Sequence, residues 1–236
     1  MTHVPAAVAL ASPLVIALTG SGMGSPLTLD AARRIFGQDL VEPAALRDLL
    51  GDAPAAPDLD LDTDDAEAAR ADGCLLLCRP AQLPDGHSLT LPTLFERVGA
   101  LGRPDLRFRG EEPWFLRDPL VSSETPEGGW ALIAREPWPE TLNNTYEEGT
   151  RAVERRTGGR PWRRRRAIEA VFDTLAFAHA RGIALLAESF DWTTTPTVDG
   201  GLVTVGGFGA GVLDVIAYSA PVKHGWLGSV PTLVGR

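Results

Sequence analysis

Eight arginines in one short stretch of the second half are the side chains of this sequence best suited to hold a ligand. They lie between Gly149 and Ile168, where only Glu154 opposes them, so this stretch carries a charge of +7. Because the whole chain of 236 residues carries −9, the remainder carries −16. A guanidinium group is permanently charged and binds phosphate or carboxylate groups through several N–H donors. The segregated charge therefore predicts a non-enzymatic protein that binds an anionic partner, either nucleic acid or an acidic protein.

Four of these arginines fall at the predicted start of a helix. Pro161 suits a first helical turn, and one apolar stripe with helical spacing follows it: Ile168, Val171, Phe172, Leu175 and His179. Cations in the first turn oppose the helix macrodipole, at a cost of about 0.3–1 kcal/mol each. Such departures from local preference are typical of functional sites. The candidate anion-binding residues on this arginine-rich helical surface are Arg155, Arg156, Arg160, Arg163, Arg164 and Arg166.

Pairing within the molecule is an alternative explanation of the same arginines. Arg165 could pair with Glu169 four residues later, and Arg151 could pair with Glu147 or Glu154. The acidic stretch 52–72 could also lie across the basic helices. The cluster would then be architectural, and the sequence leaves both interpretations open.

A second functional hypothesis is an enzyme with an acid/base site near the glycine-rich end of the chain. Asp191, Asp214 and His224 are the candidate residues, and glycines crowd positions 206 to 211. The sequence has no Gly-x-Ser-x-Gly nucleophile motif and no His-Glu-x-x-His zinc motif. It therefore assigns no catalytic residue and favours a protein that is not an enzyme. A third hypothesis is a protein–protein assembly module, in which the acidic linker and three Pro-Trp pairs form the contacts.

Three further patterns fail as ligand sites. The glycines between Gly20 and Gly24 lack the lysine of a P-loop. The alternating aspartates from Asp58 to Asp64 lack the glycine and glutamate of a calcium loop. The two cysteines, Cys74 and Cys78, would lie about 13 Å apart on one strand, too far to bond each other. We therefore expect no metal and no cofactor.

The hydrophobic patterning predicts an α+β protein, with a mostly helical N-terminal part followed by helices packed on a small antiparallel sheet. Helices are expected at 28–37, 43–50, 64–71, 91–101, 145–157 and from 161 to Gly182. Strands are expected at 74–78, 129–134, 192–198, 202–205 and 212–218. Thr145 and Glu148 form a predicted capping box.

The chain divides by composition into three predicted parts. Residues 1–27 are expected to be a flexible arm or a mis-assigned start, since translation could begin at Met1 or Met23. Residues 28–110 form the helical part with one buried strand, and residues 111–236 form the α+β module. The apolar run near the N-terminus is too short to span a bilayer, which takes about 20 residues. We expect a cytoplasmic protein with no membrane partner, and the sequence leaves its oligomeric state open.

Two stretches of the second half resemble an uncharacterised group of bacterial proteins of unknown function. The first contains Gly129-Trp130-Ala131-Leu132-Ile133 and the run from Thr141 to Glu148. The second contains Thr193-Thr194-Thr195, the run from Gly201 to Phe208 and the run from Gly211 to Val215. The resemblance covers about a third of the chain and implies no catalytic residue. It implies that the segment from Gly129 onward is one module.

Overall fold

The computed structural model describes residues 25–158 and 160–234. The arm predicted for residues 1–27 therefore lies outside the described residues, apart from its last three positions. Leu27 is buried there, and its N–H donates to the carbonyl of Leu61.

In the first part of the chain, the described residues form four helices and three strands. In chain order they are α1 (Leu29–Phe36), β1 (Leu40–Val41), α2 (Arg47–Leu50), α3 (Thr63–Ala71), β2 (Leu75–Arg79), α4 (Leu91–Leu101) and β3 (Arg107–Phe108). The caps follow the sequence signals: Thr28 accepts from the N–H of Ala31 at the start of α1, and Gly102 ends α4 in the left-handed conformation. Every residue of β2 is buried, as its unbroken apolar run predicts.

The second part contributes three helices and seven strands. They are α5 (Pro119–Ser122), β4 (Gly129–Ile133), α6 (Tyr146–Thr157), β5 (Arg163–Arg164), α7 (Ala167–Arg181), β6 (Phe190–Pro196), β7 (Leu202–Gly206), β8 (Val212–Tyr218), β9 (Leu227–Gly228) and β10 (Pro231–Val234). The capping box predicted at Thr145 and Glu148 is present at the start of α6.

The fold is mixed α+β, with two five-stranded sheets. The first sheet has the strand order β1-β2-β4-β10-β5 and the second has β3-β8-β7-β6-β9. Strands β6, β7 and β8 form the antiparallel meander predicted from the sequence, but β3 and β9 add to it in parallel. The second sheet is therefore mixed rather than purely antiparallel.

Both sheets draw strands from both predicted parts of the chain. β2 pairs with β4 in the first sheet, and β3 pairs with β8 in the second. The buried apolar residues also form one continuous core. The structure therefore does not divide at residue 110, because the hydrogen bonds between these strands cross the predicted boundary.

Helix α7 is the central element of this core. It packs against β2 of the first sheet and against β6 and β7 of the second. Every residue from Ala167 to Ala178 is buried. The single apolar stripe read from the sequence thus describes only part of its contact surface, because neighbours surround the helix on several sides.

The predicted start of this helix at Pro161 is wrong, and so is the arginine-rich helical start it implied. Arg163 and Arg164 form strand β5, which pairs with Pro231 and Thr232 of β10. Arg166 has extended backbone, and its N–H donates to the Glu169 carboxylate at 2.8 Å. The first turn of α7 thus carries the acidic group that the macrodipole favours.

No helix among the described residues is long and apolar enough to cross a membrane.

Candidate functional site

The arginine stretch does not form one surface. Only Arg151, Arg155 and Arg156 lie on α6, while Arg163 and Arg164 lie on the edge strand β5. The six candidate anion-binding residues are therefore distributed over a helix, a loop, a strand and a helix start, and the structure does not bring them together. Each has a different environment, which decides what it can bind.

Both Nη groups of Arg163 are paired within the protein. Its guanidinium donates to Glu169 at 2.8 Å and to Glu127 at 2.7 Å. Burial lowers the pKa of Arg163, but hydrogen bonds and charge from Glu169 and Glu127 more than offset this and hold it above its usual range. Both Nη groups therefore already have carboxylate partners within the chain.

Arg165 lies in the interior, inside a network of charged groups. Its side chain is 1% exposed and contacts Asp173 at 3.1 Å and Asp191 at 2.9 Å. Arg79 joins the network through Asp173 at 2.7 Å and Glu169 at 3.5 Å. The pair expected between Arg165 and Glu169 does not form, because Arg165 precedes α7 and helical spacing does not apply to it.

The outer arginines contact acidic groups or carbonyls on neighbouring segments. Arg156 donates to Glu140 at 2.9 Å and also lies 4.3 Å from the ring of Trp138. Arg166 donates to the carbonyl of Thr125 at 2.9 Å. Exposed Arg155 forms no ion pair with any described residue.

The acidic stretch 52–72 meets this basic region, as the pairing alternative expects. Asp65 lies 3.8 Å from Arg160, and Asp72 lies 3.7 Å from Arg156. Arg151 pairs with Glu147 at 3.7 Å. Partly exposed ion pairs of this length contribute little stability, but they reduce the positive charge that an outside partner would meet.

Arg164 is the exception in this stretch, because it is buried without a carboxylate partner. The residue is 5% exposed, and its Nη2 donates to the backbone carbonyl of Tyr146 at 2.9 Å. Its guanidinium carbon lies 4.2 Å from the centre of the Tyr146 ring. Every aspartate and glutamate of the chain falls within the described residues, and none forms an ion pair with Arg164. Its Nε and Nη1 atoms have no acceptor among the described residues.

Two other buried donors without partners belong to residues that pack near Tyr146 and Gly149. The hydroxyl of Ser229 and the indole N–H of Trp192 are both fully buried and have no hydrogen-bond partner among the described residues. The Tyr146 ring packs against Trp192, with 5.9 Å between ring centroids, as well as against Arg164. Unpaired donors are uncommon in protein interiors, so their concentration around Tyr146 is a distinctive feature of this fold.

Gly149 completes this group, which we call the Arg164 site: Arg164, Tyr146, Gly149, Trp192 and Ser229. A Cβ at position 149 would stand 2.6 Å from Nη2 of Arg164 and 3.4 Å from Oγ of Ser229. The missing Cβ lets the guanidinium approach the backbone of α6. A glycine inside a helix costs about 1 kcal/mol relative to alanine. Gly149 therefore lowers the stability of α6 at the position that Arg164 contacts.

The electrostatics of Arg164 follow from this environment. Burial lowers its pKa, and the interactions with Tyr146 and the charge of Asp191 oppose that shift. A buried cation normally has a paired anion, because removing a charge from water is costly. The Arg164 site thus combines a desolvated cation with uncharged donors, an arrangement that can bind an anion.

The alternative acid/base site does not form. Gly206 of β7 pairs with both Phe190 of β6 and Asp214 of β8, so Asp214 shares a face of the sheet with Phe190. Asp191 follows Phe190 directly and points to the opposite face. Asp191 pairs with Arg165, and Asp214 pairs with Arg109. These two carboxylates therefore cannot act on one substrate.

The remaining residues of that hypothesis have packing roles. The ring of His224 stacks on Trp226, with 4.5 Å between centroids and 9° between planes. Gly207 accommodates the ring of Phe190, and Gly211 allows close approach of the Asp105 backbone. The glycine-rich segment is thus explained by the close approach of neighbouring segments at these two positions.

Among the described residues, no group of three or more His, Cys, Asp or Glu side chains could hold a metal ion. Cys74 and Cys78 are both buried, and burial raises the pKa of each thiol to about 12.

Comparisons with protein-family models, with curated proteins and with solved structures find no match to this chain. The interpretation of the Arg164 site therefore depends on its own geometry.

Proposed function

We propose that this protein is a non-catalytic binding protein whose ligand is an anion held at the Arg164 site. The observation that carries the proposal is the burial of Arg164 without a carboxylate. The other buried arginines of the stretch and its surroundings, Arg165 and Arg79, have carboxylate partners. An arginine desolvated to the same degree without such a partner is the expected receptor for an anion from outside the chain.

The donors around Arg164 suit one oxyanion group, either a phosphate or a carboxylate. Nε and Nη1 of Arg164 provide charged donors, while Ser229 and Trp192 provide neutral ones. Phosphate and carboxylate oxygens each accept several hydrogen bonds, and charged donors strengthen those bonds. An extended polyanion lying on the surface would not reach a residue that is 5% exposed. The partner is therefore a small oxyanion, or one anionic group projecting from a nucleic acid or an acidic protein.

This proposal narrows the anion-binding hypothesis from six arginines to one. Arg163 is left out of the proposed site, because its Nη donors contact Glu127 and Glu169. Arg156 and Arg160 have acidic neighbours on the surface. Arg155 is exposed and serves as the matched control, because it belongs to the same charged stretch but lies outside the Arg164 site.

Thermal unfolding in phosphate tests the proposal. An anion that binds only the folded protein stabilises it by about 2.7 kcal/mol at a hundredfold excess over its dissociation constant. We expect phosphate to raise the unfolding midpoint of the unmodified protein and of Arg155→Met in a saturable way, relative to chloride of equal ionic strength. Arg164→Met should show no such rise. Equal rises in Arg164→Met and Arg155→Met would contradict the proposal.

Two further ligands identify where the anionic group comes from. A short single-stranded DNA and an acetylated glutamate peptide are compared with inorganic phosphate at equal concentrations of anionic groups. Stabilisation by phosphate alone indicates a small ligand. Stronger stabilisation by DNA or by the peptide, again lost in Arg164→Met, indicates a macromolecular partner.

A further inference from the structure

The Arg164 site adjoins a second buried group, which is centred on the carboxylate of Asp191. Oδ2 of Asp191 accepts from Nε of Arg165 at 2.9 Å, and Oδ1 accepts from the N–H of Val230 at 2.7 Å. The three segments of this group also supply three residues of the Arg164 site, each one position away along the chain: Arg164, Trp192 and Ser229. The two groups are therefore neighbours in the fold, and the charges of Arg164 and Asp191 act on each other.

The charge of Asp191 has little direct compensation. Asp191 is fully buried, and Arg165 is its one ion-pair partner among the described residues. Arg165 is shared with Asp173, which also pairs with Arg79. The next positive charge that acts on Asp191 is that of Arg164. Part of the compensation for the Asp191 carboxylate thus comes from the guanidinium of the Arg164 site.

The elements packed against β6 supply these charged neighbours. Strand β5 presents Arg164, the connection from β5 to α7 presents Arg165, and α7 presents Asp173 on the same guanidinium. The other elements that pack against β6, which are α5, β7 and β9, contain no titratable residue. The charge state of Asp191 therefore depends chiefly on the two arginines.

An anion bound to Arg164 would cancel the compensation that Arg164 provides. Two buried negative charges close together are unfavourable, and a proton on one of them relieves the repulsion. We propose that Asp191 takes up a proton when an anion binds at the Arg164 site, so that the site holds its ligand more tightly as the pH falls. This inference rests on the proposed function, because it concerns the regulation of the same site.

The direction of the pH dependence follows from the charges. Burial raises the pKa of Asp191 to about 6, although Arg165 and the Val230 N–H oppose the shift. Arg164 also lowers this pKa, so an anion that neutralises Arg164 raises it further. Between the pKa of the free protein and the higher pKa of the complex, only the complex holds the proton. Anion affinity therefore falls as the pH rises through this range.

Calorimetric titration with sulfate tests this inference. Sulfate keeps the same charge over the range used, whereas phosphate groups gain or lose a proton within it. We expect the affinity of the unmodified protein to fall about fivefold from about pH 5 to about pH 8, at the lower end of typical coupling between two sites. Asp191→Asn cannot take up the proton, so its affinity should be the same at both ends of the range.

Proton uptake can also be measured without any variant. Titrations of the unmodified protein in two buffers with different enthalpies of ionisation report how many protons are taken up with each sulfate. We expect a fraction of a proton per sulfate above the pKa of Asp191 and none well below it. This measurement keeps the inference testable even if Asp191→Asn fails to fold.

His224→Gln and Glu124→Gln are matched controls, because each removes another group that can take up a proton. The ring of His224 packs on Tyr218, which packs on Trp192 of the Arg164 site. Burial raises the pKa of Glu124, although a hydrogen bond from the Thr195 hydroxyl opposes the shift. Both variants should retain the pH dependence of the unmodified protein.

The outcomes separate this inference from the proposed function. Saturable sulfate binding with an affinity that does not change with pH would overturn the inference alone. The same holds if Asp191→Asn keeps the pH dependence, or if His224→Gln or Glu124→Gln loses it. The absence of saturable sulfate binding at every pH would overturn the proposed function, and the inference with it.

Discussion

Nη2 of Arg164 lies only 2.6 Å from the point where a Cβ at Gly149 would stand. The two residues are fifteen positions apart in sequence and belong to an edge strand and a helix. A glycine in mid-helix and a buried arginine without a carboxylate are each unfavourable alone. Together they place a cation against the backbone of α6, and this pairing is the basis of the first prediction.

Gly149→Ala should have opposite effects in two backgrounds. In Arg164→Met, where the guanidinium is gone, the alanine should stabilise the protein by about 1 kcal/mol through helix propensity. In the unmodified protein it should be neutral or destabilising, because Arg164 must shift away. Urea unfolding of the four proteins measures the coupling. A coupling energy near zero would show that the two residues do not constrain each other.

Arg164→Met should not destabilise the protein in buffer without polyvalent anions. The substitution removes a buried cation and replaces it with an apolar side chain of similar length. Replacing even paired buried charges by apolar side chains of similar volume is often neutral or stabilising by about 1–4 kcal/mol, and an unpaired cation loses no ion pair when it is replaced. Urea unfolding in low chloride measures the change. A large loss of stability would show that the guanidinium is already satisfied within the chain.

Glu169→Gln should be strongly destabilising at neutral pH, by about 3–5 kcal/mol, because it leaves buried Arg79 and half-buried Arg163 with one fewer carboxylate. Burial raises the pKa of Glu169, but hydrogen bonds and charge from Arg163 and Arg79 hold it at about 2. The carboxylate therefore stabilises the fold above its unfolded pKa near 4.5, and this contribution is lost as pH falls toward 2. The difference in free energy of unfolding between the unmodified protein and the variant, measured with urea, should therefore decrease as the pH falls over that range. A deficit independent of pH would contradict this assignment.

Asp191→Asn should show the opposite pH dependence. Burial raises the pKa of Asp191 to about 6, although Arg165 and the Val230 N–H oppose the shift. The folded protein thus binds a proton that the unfolded chain releases near pH 3.8, and the Asp191 contribution to stability falls as pH rises through 6. The free energy of unfolding of the variant, relative to the unmodified protein, should therefore rise between about pH 4 and 6. A relative stability that falls over this window would contradict the prediction.

Much of the secondary structure could be predicted because its signals are local. Thr28, Thr145 and Gly182 cap their helices as expected, and the period-two segments form the β6–β8 meander. The start of α7 could not be read in the same way. Pro161 is a good helix start locally, but pairing of Arg163 and Arg164 with β10 decides the boundary, and that strand lies near the end of the chain.

The candidate site was predictable only in part. Charge density identified Arg164 together with its neighbours, but only tertiary structure shows which arginines receive carboxylates. Arg165 reaches Asp191 and Arg163 reaches Glu127, contacts that no fixed spacing predicts. Ser229 and Trp192 have no local signal at all. The one sequence feature that could have pointed to the site is Gly149, a helix-weakening residue inside a segment with a strong capping box.

Calorimetric titration with inorganic phosphate tests most directly whether the Arg164 guanidinium binds an anion from outside the chain. We predict saturable binding to the unmodified protein and to Arg155→Met, and none to Arg164→Met, with all three proteins folded by circular dichroism. Binding of phosphate to Arg164→Met with unchanged affinity, or no saturable binding to the unmodified protein, would contradict the account.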